Sequence, residues 1–382
     1  MTTKEYVQGK VVDFFDSKLF PAYEESRKRS GFRWDTLERR GGSKDIPDIS
    51  IKAMVGNAYG ILGKLTGKAS YKQESSYAVI ELMDLQQADG RWENPYKIPE
   101  SSLEDAFTTA DAVWFLSRCE EKEESIVKES AKRGAIWLRS GKVGFQNGIP
   151  PNLPVLESLI QYKQANHVGT ICRALVATKD PSFVNPAQES ALRLCDPYWM
   201  TVLGTWGWDK YHLDTYKTVY HDLTIWGLSD VFQNSEKKDQ RLVGPLVSAF
   251  RFVMNILPWD SKIGRSPDLS YWEKLTYENM AKIGLYPALL KVVSEEDLRP
   301  SGTGYSGLIT LVKFLEALQN DFRNHFGLGS FSEYIRAEIM DLVLSILDRF
   351  KRTTIGGSDT YSVERRLEVL RGLVVFLEWT FN

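Results

Sequence analysis

The sequence predicts an all-helical protein, and three observations carry that expectation. Apolar residues recur at intervals of three and four from Lys4 to Phe20 and again from Ile49 to Leu65, while alternating runs are few. The segments between such stretches are short and carry Pro, Gly, Asn or Asp, as in NGIPPNLP, KDPSFVNP, GRSPDLS and LRPSGTGYSG. Finally, a helix runs into the punctuation LQQADGRW, Leu85 to Trp92, in which paired glutamines precede Asp-Gly-x-Trp. No long linker or low-complexity tract divides the 382 residues, which predicts a single domain over residues 1–382.

Charge and composition narrow the function classes. The 48 Lys and Arg nearly balance 50 Asp and Glu, so no global field draws the chain to nucleic acid or to an anionic membrane. Charged stretches such as CEEKEESIVKESAKR and NSEKKDQR read as a solvated helix face and a loop. No apolar run approaches the roughly 20 residues that span a bilayer, and MTTKEYVQGKVVDFF lacks the apolar stretch of a secretory signal, so a cytoplasmic location is expected. Cys119, Cys172 and Cys195 stand in no metal-ligand spacing and read as buried small hydrophobes. The 11 tryptophans suit a core packed with aromatic rings or a cavity lined with them.

The punctuation recurs. LQQADGRW contains Gln86, Asp89, Gly90 and Trp92, with Glu81 where an aromatic would precede it. RGAIWLRSGKVGF supplies Arg133, Gly134, Trp137 and Leu138 and decays to Gly144-Phe145. GTWGW supplies Gly204 and Trp206, KFLEALQNDFRNHFGLGSF supplies Phe314, Leu315 and Gln319 before Gly327, and RFVMNILPW ends a fainter copy at Trp259. Between Trp92, Phe145, Trp206, Trp259 and Gly327 the spacings are 53, 61, 53 and 68 residues, the length of a helical hairpin with its connections. This pattern resembles the repeat of terpenoid cyclases and protein prenyltransferases, and the resemblance covers most of the chain. It implies an (α/α)6 toroid, six helical hairpins closed into a double ring. The motif's role is structural: glutamine caps a helix end, glycine allows the turn, and the aromatic packs against the next repeat.

In such a ring the inner helices begin near the central cavity, so residues just after each turn are the candidates for chemistry. Ser-Ser-x-Glu-Asp opens a helix in which Glu104, Thr108 and Asp111 share a face, with Asp105 beside them and Trp114 beyond. Asp214, Lys217 and His221 fall at i, i+3 and i+7, followed by Asp222, with Tyr216, Tyr220 and Trp226 nearby. A carboxylate, a cation and an imidazole together serve metal binding, diphosphate capture or acid–base work, or form an ion pair beside a satisfied histidine. Tyr271, Glu278 and Lys282 share a face next to Trp272, and His167 and His325 stand apart. There is no Gly-rich phosphate loop, no GxSxG elbow and no HExxH helix.

The resemblance implies an atypical terpene cyclase or synthase, because the family's Asp-x-Asp-Asp, DDxxD and zinc motifs are absent. Its substrate would be a prenyl diphosphate or polyene, cyclised as a carbocation against aromatic faces. Catalysis falls to Asp105, Asp111, Asp214, Lys217, His221 and Asp222, and substrate binding to Trp114, Trp206, Tyr220, Trp272, Glu278 and Lys282. Mg²⁺, where diphosphate loss starts the reaction, would sit on Asp105, Asp111, Asp214 and Asp222. The alternatives are a carbohydrate-active (α/α)6 enzyme, whether hydrolase, lyase or epimerase, and a toroid that only binds.

Overall fold

The structure is a computed structural model that describes residues 2–21, 49–94, 103–142, 153–196, 206, 218–234, 238–246, 248–249 and 363–381, with single helical positions within 308–316 and 336–347. Among them there is no strand; Lys142 and Pro154 form one isolated bridge. The helices are α1 (Thr3–Phe14), α2 (Ile49–Thr66), α3 (Ala69–Asp84), α4 (Leu103–Leu116), α5 (Ser125–Ser140), α6 (Val155–Gln161), α7 (Ala165–Ala177), α8 (Pro181–Leu194), α9 (Thr218–Asn234) and α10 (Val363–Phe381). The fold is an (α/α)6 toroid.

Two kinds of helix alternate along the chain. α2 and α7 are buried on almost every side, as inner helices must be. α5 and α8 bury one stripe only, with Val127, Ala131, Gly134 and Leu138 on α5. The inner ring runs α2, α4, α7, α9, and α10 packs back on α2 to close it. The helical positions 308–316 lie between α9 and α10, because Lys313 pairs with Asp230 of α9 and feels the charge of Glu378 of α10. Starts are fixed by local chemistry: Thr2 and Glu5 form a reciprocal capping box on α1, and Asp180 accepts from the Ser182 backbone ahead of Pro181 on α8.

The repeated turns do what the motif predicts. Gln86 donates to the carbonyls of Gly90 and Ser130, each at 2.9 Å, and accepts from Ser130 Oγ and Arg133, tying the turn to α5. Gly90 takes φ +94°, the left-handed region that glycine enters without strain. Trp92 is fully buried and its indole N–H donates to the Leu82 carbonyl at 2.7 Å, satisfying a terminal acceptor of α3. Trp206 repeats the contact on the Leu194 carbonyl at 2.9 Å, at the end of α8. The two halves of the motif interlock: a Cβ on Gly134 would meet the Trp92 ring at 2.7 Å, so α5 offers a small residue where the preceding turn delivers its indole. Glu81, which replaces the repeat's aromatic, pairs instead with buried Lys52 of α2. Phe145, Gly204, Trp259 and Gly327, the other marks of the repeat, lie outside the described residues.

Candidate functional site

Five inner helices contribute to one layer of the toroid axis. Asp111 of α4, Arg173 of α7, Trp226 of α9 and Arg371 of α10 meet there, and Asn57 of α2 reaches Glu378 of α10. Asp111, with no solvent exposure, is the hub: Arg173 binds one carboxylate oxygen and Arg371 the other. The Arg173 guanidinium lies over Trp226, 3.7 Å from the ring centroid, and 4.7 Å from that of Trp114. The two indoles meet edge to face at 5.4 Å, and Arg118 covers Trp114 from 4.5 Å.

Close helix approach makes this layer possible. A Cβ on Gly227 would stand 2.0 Å from the Gly169 carbonyl oxygen, so α7 and α9 touch backbone to backbone and Arg173 can reach the Trp226 face. Below the layer, towards the helix C-termini, Glu378 accepts from Arg118 at 2.8 Å and from Asn57 at 3.1 Å. Lys313 bridges Asp230 at 3.0 Å and Glu316 at 3.2 Å. Burial raises the Glu316 carboxyl, opposed by the Lys313 charge, while Lys313 is itself held charged by its acidic neighbours against the pull of desolvation.

Donors outnumber acceptors in the layer. Nε and Nη1 of Arg173, Nε of Arg371, and the indole nitrogens of Trp114 and Trp226 are buried and have no hydrogen-bond partner among the described residues. Native interiors satisfy nearly all buried donors, so a cluster of five such atoms at one place is a feature to explain. Above it, at the start of α7, His167 packs on Phe107 at 3.9 Å and meets Asn166 Oδ1 at 3.3 Å, while its Nε2 has no partner. Burial lowers the His167 pKa to about 3, so the ring is a neutral hydrogen-bonding group at ordinary pH.

Of the residues expected to act, the layer contains Asp111 and Trp114. Asp105 is buried elsewhere: it accepts from the Asn94 backbone at 2.7 Å and pairs with Arg91 at 3.6 Å, while Thr108 accepts from the Asn94 side chain, so this helix start anchors the Trp92 turn. Trp206 belongs to a turn and not to the axis. Asp222 is fully buried on α9, the helix that also carries Tyr220 and His221. Asp214, Lys217, Trp272, Glu278, Lys282 and His325 lie outside the described residues. The magnesium assignment meets a physical obstacle at Asp111, whose two oxygens are taken by guanidinium groups, and at Asp105, which is committed to its turn. Among the described residues no group of three or more His, Cys, Asp or Glu could hold a metal ion.

Sequence reasoning missed Arg173, Arg371, Arg118, Asp230, Lys313 and Glu378. No local signal marks them, because their partners lie up to 260 positions away. A charged residue inside a helix that is otherwise apolar on every side, as Arg173 is in ANHVGTICRALVA, is the one available clue.

No protein-family model matches the sequence, and no curated protein sequence matches it. The solved structure of cellobiose 2-epimerase from Bacillus thermoamylovorans B4167 is similar in fold, with a TM-score of 0.55 at 9% identity over 98% of this chain and 99% of that one. The expectation of a terpene cyclase with a prenyl diphosphate substrate, and of a place in isoprenoid biosynthesis, is corrected by this likeness to a sugar epimerase. The axis gives the physical reason. A migrating carbocation needs bare aromatic faces, and here guanidinium groups cover Trp114 and Trp226, so like charges would meet where the cation should be stabilised. What stands is the architecture: the chain is an (α/α)6 toroid, the shape that also carries a cellobiose 2-epimerase.

Proposed function

We propose that the protein is a carbohydrate-active enzyme that binds a sugar at the toroid axis and changes it by proton transfer, as an epimerase or a lyase does. The observation that carries this reading is the set of unpartnered buried donors on Arg173, Arg371, Trp114 and Trp226, which calls for an acceptor-rich ligand. A sugar offers hydroxyl and carbonyl oxygens in that density; a hydrocarbon chain offers none. The likeness to cellobiose 2-epimerase supports the same substrate class.

The chemistry follows from the charges. A base removes the proton on the carbon next to the sugar carbonyl, and the electron pair moves onto the carbonyl oxygen. That oxyanion is met by the guanidinium donors, whose positions are fixed in advance by Asp111 and the Trp226 face. Return of a proton to the opposite face gives the epimer; departure of a neighbouring substituent gives the unsaturated product. We assign the base to His221, on the helix that carries Trp226, and leave His167 as a hydrogen-bond acceptor, since an imidazole with a pKa of about 3 holds a proton too weakly. Glycoside hydrolysis fits less well, because among the described residues Asp111, Asp230 and Glu378 are each bound to cations. The test is incubation with neutral and acidic mono- and disaccharides in D₂O, read by proton NMR. Deuterium entering the carbon next to the carbonyl, together with a new epimer or alkene, is expected; no exchange and no consumption of any sugar would sink the proposal.

A further inference from the structure

We infer that the sugar taken at the axis is acidic, carrying one carboxylate that lies against Arg173 and Arg371. This rests on the carbohydrate reading above and adds the charge class of the substrate.

Asp111 is one carboxylate shared by two guanidinium groups, so the trio has one positive charge in surplus. All three are buried, with Arg173 1% and Arg371 5% exposed. A buried charge without a counter-charge is strongly disfavoured, and proteins avoid it by pairing or coordinating the charge. Among the described residues, Asp111 and Asp230 are the acids whose charge acts most on Arg173, and Asp230 does not fill the deficit. Asp230, whose charge Arg173 feels, is bound by Lys313, and Glu378 by Arg118. Glu316 shares Lys313 with Asp230, and its side chain is 28% exposed, so solvent screens whatever charge it carries. Burial pulls the Arg173 guanidinium down to about 10, which Asp111 opposes and Arg371 reinforces, as expected of an under-compensated cation.

The free donors are of the matching kind. Arg173 presents Nε and Nη1, and Arg371 presents Nε. Planar guanidinium groups bind carboxylates through parallel charge-assisted hydrogen bonds, and stacking on Trp226 fixes the plane of Arg173 beforehand. The magnitude of the surplus selects among anions. A carboxylate brings one negative charge, whereas a phosphate monoester brings about 1.5 to 2 and would overshoot. A uronate fits the charge, the donors and the proposed chemistry, because its carboxylate, neutralised by the two guanidinium groups, is itself the carbonyl group that takes up the electron pair when the proton on the adjacent carbon leaves.

Isothermal titration of the full chain with D-glucuronate, D-glucose and D-glucose 6-phosphate tests this. Charge-assisted bonds of this kind predict glucuronate binding at least about tenfold tighter than glucose, with the phosphate no tighter than glucuronate. Arg371→Gln leaves the Asp111–Arg173 pair balanced, so the chain keeps its fold, read by its melting temperature, and loses the preference. Equal or tighter binding of glucose overturns the inference and leaves the carbohydrate reading standing, as does a preference that survives Arg371→Gln. Tighter binding of the phosphate also overturns it. Absence of binding by all three overturns both.

Discussion

Trp92 and Trp206 sit in the turns, Trp114 and Trp226 on the axis, and their indole nitrogens separate them. Each turn tryptophan donates to the carbonyl of a helix end, Leu82 or Leu194, and is thereby complete. Neither axis tryptophan has a partner for its N–H, and both carry a guanidinium on a face. All four are buried, so burial alone does not tell a structural aromatic from a binding one. The satisfaction of the polar atom does, because a buried N–H left open is stable only where something else completes it.

Substitutions should divide along the same line. The largest stability loss is expected for Trp92→Ala, about 3 to 5 kcal/mol in urea denaturation, since it empties the space against Gly134 and leaves the Leu82 carbonyl only the shared 3.2 Å contact from the Leu85 N–H. Trp206→Ala should lose a comparable amount; if it melts like the parent, the two turns are not equivalent. Next comes Asp111→Ala, which strands two buried guanidinium groups and should cost about 3 to 5 kcal/mol, against a smaller loss when Asp111, Arg173 and Arg371 are replaced together by apolar residues of similar volume. A triple variant less stable than Asp111→Ala would mean that the trio holds the fold together rather than serving a ligand.

A smaller effect is expected from pH. The His167 imidazole, held down to about 3 by burial, stays neutral where an unfolded chain with the ordinary value of 6.5 binds a proton. Its contribution to stability is therefore complete above about 6.5 and declines as pH falls from there towards 3. Melting temperatures across that window should fall less steeply in His167→Gln than in the parent. The smallest effect concerns Cys119, whose thiol burial pushes up to about 12, with Glu121 adding to the rise; the native chain at pH 8 should leave it unlabelled by iodoacetamide over hours, and rapid labelling would show that its helix end opens.

The ring was legible in the sequence because its signals are local. Gln86, Gly90 and Trp92 act within a few positions of one another, and Gly134 announces the space that Trp92 fills. The axis was legible only in part. Asp111 and Trp114 stand out by helical spacing from a capped start, but the residues that give Asp111 its meaning, Arg173 and Arg371, are 62 and 260 positions distant and meet it only when the ring closes. Asp105 shows the opposite failure: an acid at a helix start reads as catalytic, and its partners, Asn94 and Arg91, make it an anchor for the turn. The isoprenoid reading rested on the repeat, and the repeat belongs to the scaffold, which carries more than one chemistry.

The most direct measurement is sugar turnover by Trp226→Phe. Phenylalanine keeps the ring and removes the unpartnered N–H, a change that should cost less than about 1.5 kcal/mol of stability. The axis as described predicts a folded variant whose turnover falls at least about tenfold, in line with the loss of one buried ligand hydrogen bond. A folded Trp226→Phe protein that turns over sugar at the parental rate would contradict the assignment of the axis as the site.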